Sequence, residues 1–541
     1  MGADVGREPI GIFYANDPEH QRVTGQNVVV DDFLEALLAY GKSTALHLFS
    51  DQTALPALGG ADGEARAGEG VTIHAVRDVG DVSLAGWHDL TPDVMRCLTV
   101  RERQPRRFYP ISFSTHNGHA QHAPVGFVLP LLLGSVRECD SVVCVSRSLR
   151  TLFEKMLDRS AGVLSRSFGR DVRFRGRLDL IPWGIDTRRF QPRPAAEARA
   201  RYELPADAFV ILYVGRVTPA TKGDLMPAMR VVKLLAERHP TRKIVLAIAG
   251  SIESPGYDEL LFAYAQHLGV DSRAMLLGAI KAEERHAVYA CADVFLSLGD
   301  WHAEAFGLTP VEAMACGVPQ VVSDWDGYRD TVVHGETGFL TPTIWADCGE
   351  EIDVHAILRT AHRDLLVGQS LAVDLDACVS QIEALLTNDD LRKRMGEASR
   401  ARALAEFDWP RIVPRYEALW AELRARAATL APDRDREGLF SVPIFPTYRH
   451  YASDELRAED VVRLTPAGEL LAKGDDVLPL EGRLNVMDDD LLVAIVEMLA
   501  AGGGEATLAE TIARAGVSPG RATRHVLWLI KYGFCSRRAA G

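Results

Sequence analysis

The sequence predicts an α/β protein built on doubly wound parallel sheets, and three observations carry that expectation. Residues 10–190 alternate short apolar runs with amphipathic stretches, the pattern of βαβ layers. A Pro-rich tract, Gln191-Pro192-Arg193-Pro194, then interrupts the alternation. Beyond it a strand begins again at 210–214, and the alternation continues.

Within the first half, strands are expected at 10–15, 45–49, 71–76, 109–114 and 142–145. A helix is expected at 28–40, with Phe33, Leu34, Leu37 and Leu38 on one face. The Gly, Ala and acid-rich stretch 59–70 reads as a loop. In the second half, apolar runs at 244–249, 274–278 and 292–297 read as strands, and 258–267, 283–290, 391–407 and 409–428 as helices. The polar, mixed stretch 347–374 reads as an insertion or lid with no assigned conformation.

Size and charge bound the function classes. At roughly 150 residues per domain, 541 residues make three or four domains or subdomains. The chain is 47% hydrophobic and 25% charged, as soluble globular proteins are. Its net charge of −14 argues against nonspecific binding to nucleic acid or anionic lipid. No apolar run is long enough for a spanning helix and the N-terminus lacks a signal-like apolar core, so a cytoplasmic protein is expected. Gly6 stands where a myristoylation signal would carry Ser or Thr. The eight cysteines include no C-x-x-C pair, so neither a zinc framework nor a redox motif is indicated.

The densest chemistry lies between Ser297 and Thr343. Glu304 and Glu312 are separated by seven residues, and between them Phe306-Gly307-Leu308-Thr309-Pro310 reads as the mouth of a helix, with Thr309 as N-cap and Pro310 at the first helical position. Free backbone N–H groups and the helix dipole would welcome an anion there. A sugar diphosphate is expected at that mouth, with Glu304 facing the sugar and Glu312 the ribose. Thr309-x-x-Glu312 equally fits a capping box in which the carboxylate serves only the helix.

Upstream, the strand at 210–214 runs into Gly215, and Arg216 and Lys222 follow six residues apart. Two cations so placed can hold one diphosphate, Arg by forked donors and Lys as a point charge, although solvated loop cations have the same spacing. Gly25 and Gln26 lie between the first strand and its helix, where open α/β sheets bind ligands. His116 stands at the end of the strand 109–114 and can equally be an ordinary surface histidine. No G-x-G-x-x-G is present, which lowers a dinucleotide reading.

Glu304, Phe306-Gly307 and Glu312 heading Ala313-Met314-Ala315-Cys316-Gly317-Val318-Pro319 resemble the signature of retaining glycosyltransferase family 4, the glycosyl transferases of group 1. The resemblance extends over residues 10–428, through Leu180-Ile181-Pro182-Trp183-Gly184-Ile185-Asp186, where Trp183 replaces the family's Asn, and Thr24, which replaces a Gly. It implies the GT-B fold, two Rossmann-like domains facing across a cleft: an acceptor-side domain at 1–192 and a nucleotide-sugar domain at 193–430, whose last helix, 409–428, crosses back.

It also implies sugar transfer from a nucleotide-diphosphate sugar to an acceptor hydroxyl, with no catalytic metal and no cofactor beyond that co-substrate. Under it Arg216 and Lys222 hold the pyrophosphate with Gly25 and the Phe306, Gly307, Leu308 and Thr309 backbone. Glu304 and His116 bind donor-sugar hydroxyls, Glu312 holds the ribose, and His119 is left unassigned. Trp301 and His302 stand where relatives often have small or polar residues, positions that bear on sugar or acceptor selectivity. The acceptor, whether glycan, lipid, peptide or small molecule, is left open. A sugar-nucleotide epimerase or hydrolase of the same fold, or a nucleotide-sugar sensor acting through the C-terminal residues, are the alternatives.

Residues 441–541 lie outside the resemblance. The stretches 507–516 and 521–532 read as a helix-turn-helix within a winged-helix-like domain. Arg521, Arg524, His525 and Lys531 suggest a basic second helix, yet the region carries 14 acidic against 11 basic side chains, so a protein or peptide partner is favoured over nucleic acid.

Overall fold

A computed structural model of the chain describes residues 7–14, 25–50, 71–76, 79–80, 82–90, 93–102, 108–116, 118, 123–281, 284–358, 363–431, 439, 443–476, 478 and 487–540. Val23, Thr24, the loop 59–70, Asn117, His119 and Glu283 lie outside the described residues. The chain divides near residue 441 into two compact units.

The larger unit holds two parallel sheets. The first has seven strands: β1 (Glu8–Phe13), β2 (Thr44–Ser50), β3 (Val71–Ala75), β4 (Gly86–Asp89), β5 (Ile111–Ser114), β6 (Ser141–Cys144) and β7 (Arg177–Leu180). Their spatial order is β3-β2-β1-β4-β5-β6-β7, so the winding reverses between β1 and β4. The second sheet has six: β8 (Phe209–Val214), β9 (Ile244–Ala249), β10 (Ala274–Gly278), β11 (Val294–Ser297), β12 (Gln320–Ser323) and β13 (Gly338–Thr341). Their order is β10-β9-β8-β11-β12-β13, reversing between β8 and β11.

Central strands read as continuous apolar runs because both faces of a parallel sheet are covered; every residue of β8 and β9 is buried. β4 and β7 were not expected, since GWHD and RLDL carry no apolar run. Packing overrides their polarity: His88 is fully buried with Nδ1 2.8 Å from Ser112 Oγ, and Asp179 is ion-paired to Arg177 at 2.7 Å.

Four helices position the site: α1 (Gly25–Tyr40), α2 (Arg285–Val288), α3 (Leu308–Ala315) and α4 (Trp409–Ala427). α1 buries Phe33, Leu34 and Leu37 as its periodicity required. α4 buries Trp409, Ile412, Tyr416, Leu419 and Leu423. It belongs by sequence to the second half but packs on the first sheet: Tyr416 Oη lies 3.2 Å from Ser114 Oγ, and Trp420 Nε1–H donates to Ser112 Oγ at 3.1 Å. Glu417 Oε1 on α4 accepts from the Lys42 and Ser43 amides and the Thr44 hydroxyl at the start of β2.

The stretch 347–374 has regular structure: helices Gly349–Ile357 and Arg363–Gln369 lie between β14 (Thr343–Trp345) and β15 (Leu371–Val373), which pair antiparallel. Among the described residues no helix is long and apolar enough to cross a membrane.

The smaller unit has its own core and a three-stranded antiparallel sheet of β16 (Val461–Leu464), β17 (Glu505–Thr507) and β18 (Cys535–Arg538), ordered β17-β16-β18. Helices Leu508–Arg514 and Pro519–Lys531 follow β17, the first closed by a Thr507–Glu510 capping box. Two of the basic residues that suggested a nucleic-acid helix are used internally. Arg521 is ion-paired with Asp488, and His525 is fully buried, accepting the Asp488 amide at Nε2 over 3.1 Å.

Candidate active site

The carboxyl ends of β8 and β11 flank the switch point of the second sheet, the place where open α/β sheets form a crevice. The segment after β8 carries Arg216 and Lys222, and the segment after β11 carries Glu304. These residues line a cavity of about 800 Å³ whose opposite wall includes Val29, His116 and Trp183 from the first half of the chain. Phe306, Gly307, Leu308, Thr309 and Glu312 line it too.

Backbone approaches closely here. Gly307 has φ of 85°, and a Cβ on it would lie 2.5 Å from the Tyr328 ring, so only glycine fits. Gly307 is also the N-cap of α3, with no side-chain cap bond. The expectation that Thr309 caps and Pro310 opens the helix is therefore corrected: the helix starts at Leu308, inside which Thr309 and Pro310 already lie. The left-handed glycine turns the chain two residues before the polar cap candidate could. The capping-box reading of Glu312 falls with it. The first amides of α3, Leu308 and Thr309, belong to the turn whose N–H groups have no partner within the helix.

Among the described residues, three cation–carboxylate pairs line the cavity. Arg216 Nη1 donates to Glu253 at 2.8 Å, and Lys222 Nζ donates to Glu304 Oε2 at 2.6 Å. Arg285 on α2 pairs with Glu312 Oε1 at 2.7 Å, while Tyr289 donates its hydroxyl to Oε2 at 2.6 Å. The expectation for Glu312 needs amending, because its side chain is wholly buried and already engaged. Burial pushes its carboxyl above the ordinary range, and Arg285 opposes the rise most strongly. Across the cleft, burial raises Asp32 of α1 to about 7, against the pull of Arg285 and with a push from Glu312.

His116 is held by two neighbours. Its Nε2–H donates to the Leu90 carbonyl, and its ring stacks on Trp183 with centroids 5.2 Å apart and 22° between planes. Burial lowers its pKa to about 4, so the ring is neutral near pH 7, and Nδ1 carries the lone pair. Gly25 opens α1. Of the sequence candidates, Arg216, Lys222, Glu304, Glu312, His116 and the 306–309 backbone meet in one cavity.

Sequence reasoning missed Arg285, Glu253, Tyr289 and Asp32. No local pattern marks them: Arg285 sits in a charged stretch beginning Lys281-Ala282-Glu283-Glu284, and only folding brings it onto Glu312.

Residues 195–353 match the family model described as glycosyl transferases group 1. The chain carries a glycosyl transferases group 1 domain. It is similar to a D-inositol 3-phosphate glycosyltransferase of Saccharomonospora viridis, 33% identical over 193 residues, covering 34% of this chain and 44% of that protein. A D-inositol 3-phosphate glycosyltransferase of Corynebacterium jeikeium is 28% identical over 255 residues, covering 46% of this chain and 52% of its own. The chain thus spans about half the length of these relatives. Among solved structures, Anabaena HepE in complex with UDP and glucose aligns over 77% of this chain and all of its own, with a TM-score of 0.51 and 16% identity. That likeness assigns the larger unit to the two-lobed GT-B fold.

Proposed function

We propose that the chain is a glycosyltransferase that moves a sugar from a nucleotide-diphosphate sugar to an acceptor hydroxyl with retention at the anomeric carbon. The observation that carries the reading is the convergence of Arg216, Lys222, Glu304, His116 and the α3 N-terminus on one cavity between two facing lobes.

The chemistry follows from those groups. Arg216, Lys222 and the Leu308 and Thr309 amides stabilise the diphosphate as the bond from C1 to its oxygen breaks, so side chains and backbone do this work instead of a metal ion. The acceptor oxygen bonds to C1 on the same face, and its proton passes to the departing diphosphate oxygen. Lys222 leaves Glu304 for the diphosphate, which frees Glu304 to accept donor-sugar hydroxyls and offset developing positive charge. His116 Nδ1 accepts another hydroxyl. Glu312 serves the ribose. The protein's part is orientation and charge placement, with no covalent intermediate on a side chain.

The test screens the full-length protein by thermal shift against uridine, guanosine and adenosine diphosphates and their hexose conjugates, then analyses products by mass spectrometry with and without an acceptor panel. D-inositol 3-phosphate belongs in that panel because the relatives above are named for it. A ligand at 100 times its Kd stabilises by about 2.7 kcal/mol, well within detection. Sugar appearing on an acceptor supports transfer. Acceptor-independent release or isomerisation of the sugar points to hydrolysis or epimerisation, and a flat melting temperature with every nucleotide sinks the reading.

A further inference from the structure

Trp183 stands in the segment that leaves β7, at the place where the resemblance puts Asn, so its indole is a feature of this chain. The ring is 3% exposed and lies against His116, with 22° between the planes and 5.2 Å between centroids. Behind it Phe33 of α1 meets the indole edge-on at 6.0 Å. The backbone beneath is pinned as well. A Cβ on Gly184 would lie 2.4 Å from the Trp409 ring. Ile185 N–H donates to the Phe407 carbonyl at 2.8 Å, and Trp409 N–H donates to the Ile185 carbonyl at 3.2 Å. These bonds lie where the segment after β7 meets the start of α4, the crossing between the two lobes.

His116 needs a clamp of this kind. It stands two residues beyond the end of β5, and its Nε2 contacts the Leu90 carbonyl. A carbonyl can only accept, so Nε2 carries the proton and Nδ1 the lone pair. One hydrogen bond fixes one atom and leaves the ring free to turn about it. A stacked ring fixes the plane, and an atom and a plane together set the direction of Nδ1.

We propose that Trp183 is a positioning residue for His116: the indole holds the imidazole plane so that Nδ1 presents its lone pair to a donor-sugar hydroxyl in the cavity that both rings line. This rests on the donor-site reading above. The aim of His116 is thereby set at the crossing between the lobes, and not by β5 alone. The titratable neighbour of His116 is His88 on β4, which burial pushes down to about 3, so it is neutral too. Arg216, Lys222 and Glu304 line the same cavity.

The test follows His116 directly, by NMR of full-length protein with ring-15N histidine, using His116→Gln to assign the resonance. Wild type should carry its proton on Nε2 with Nδ1 bare; the opposite tautomer overturns this inference before any variant is made. Trp183→Met fills the space without a plane, and Trp183→Asn restores the residue of the resemblance. Both should mix the tautomers and raise the His116 pKa from about 4 toward the ordinary 6.5, whereas Trp183→Phe keeps a ring and should stay near wild type. The asparagine variant covers the case in which the methionine variant does not fold. Calorimetry with UDP and UDP-glucose then reads the sugar contact. The ratio of the two affinities should shift about fivefold against the hexose in His116→Gln, Trp183→Met and Trp183→Asn, but not in Trp183→Phe. An unchanged tautomer and titration in the methionine and asparagine variants overturn this inference. So does a ratio that His116→Gln shifts and those variants do not. A ratio that His116→Gln leaves unchanged removes the sugar role of His116 and this inference with it, while UDP binding shows the diphosphate site intact. Failure of wild type to bind either ligand overturns the donor reading itself.

Discussion

In one ion pair lining the cavity the Lys222 and Glu304 side chains keep 27% and 10% of their surface exposed; in another, Arg285 and Glu312 keep 13% and 1%. Both are cation–carboxylate contacts of similar length, 2.6 Å and 2.7 Å. Exposure separates their uses. The more exposed pair exchanges partners at lower cost when an anion arrives, because water screens the transition. A sealed pair cannot, since separating two desolvated charges costs far more than a surface pair returns. The first pair is the cheaper to separate, the second the costlier.

The largest effect that would sharpen this contrast is on folding. Arg285→Ala leaves a buried, uncompensated Glu312 and should cost about 3–5 kcal/mol in chemical denaturation, most of it recovered when Glu312 is also replaced by leucine. A loss below about 1 kcal/mol breaks the contrast, because the pair would then behave like a surface one.

Next comes turnover. Lys222→Ala should lower kcat by roughly 10²–10³ through lost stabilisation of the leaving diphosphate. Its melting temperature should stay near wild type, as Glu304 keeps access to the cavity. Equal loss of stability and activity would place Lys222 with the locked pair instead.

The smallest effect concerns the opposite lobe. Asp32 titrates near 7 when folded against an ordinary value of 3.8, so the folded state binds its proton more tightly than the unfolded chain does. The stability this contributes is complete below about pH 4 and is lost as the pH rises through about 7. Asp32→Asn should flatten that decline in pH-dependent denaturation. An unaltered slope would mean that burial on α1 does not hold the Asp32 proton in the folded state.

Much of the fold was legible because parallel strands buried on both faces must be apolar throughout. That is why β1, β2, β8, β9 and β11 are found where apolar runs stand, and why α4 shows a clear buried stripe. β4 and β7 were not legible, because His88 and Asp179 are made tolerable inside a sheet by partners distant in sequence, Ser112 and Ser141. The same divide runs through the site. Glu304, Lys222 and Arg216 were readable from spacing and resemblance, since each follows the end of a strand at a switch point. The helix start was misread by two residues at its cap because a left-handed glycine leaves no polar mark.

The sequence by itself determined the two layered halves, the cations after β8 and the pair of glutamates around α3, all of which follow from local periodicity and short spacings. Only the tertiary structure decided which charge neutralises which. Arg285 meets Glu312, Glu253 meets Arg216 and Asp32 faces both Arg285 and Glu312 because elements far apart in the chain converge. Ionic contacts depend on distance and burial in three dimensions, and neither quantity is written in the order of the residues.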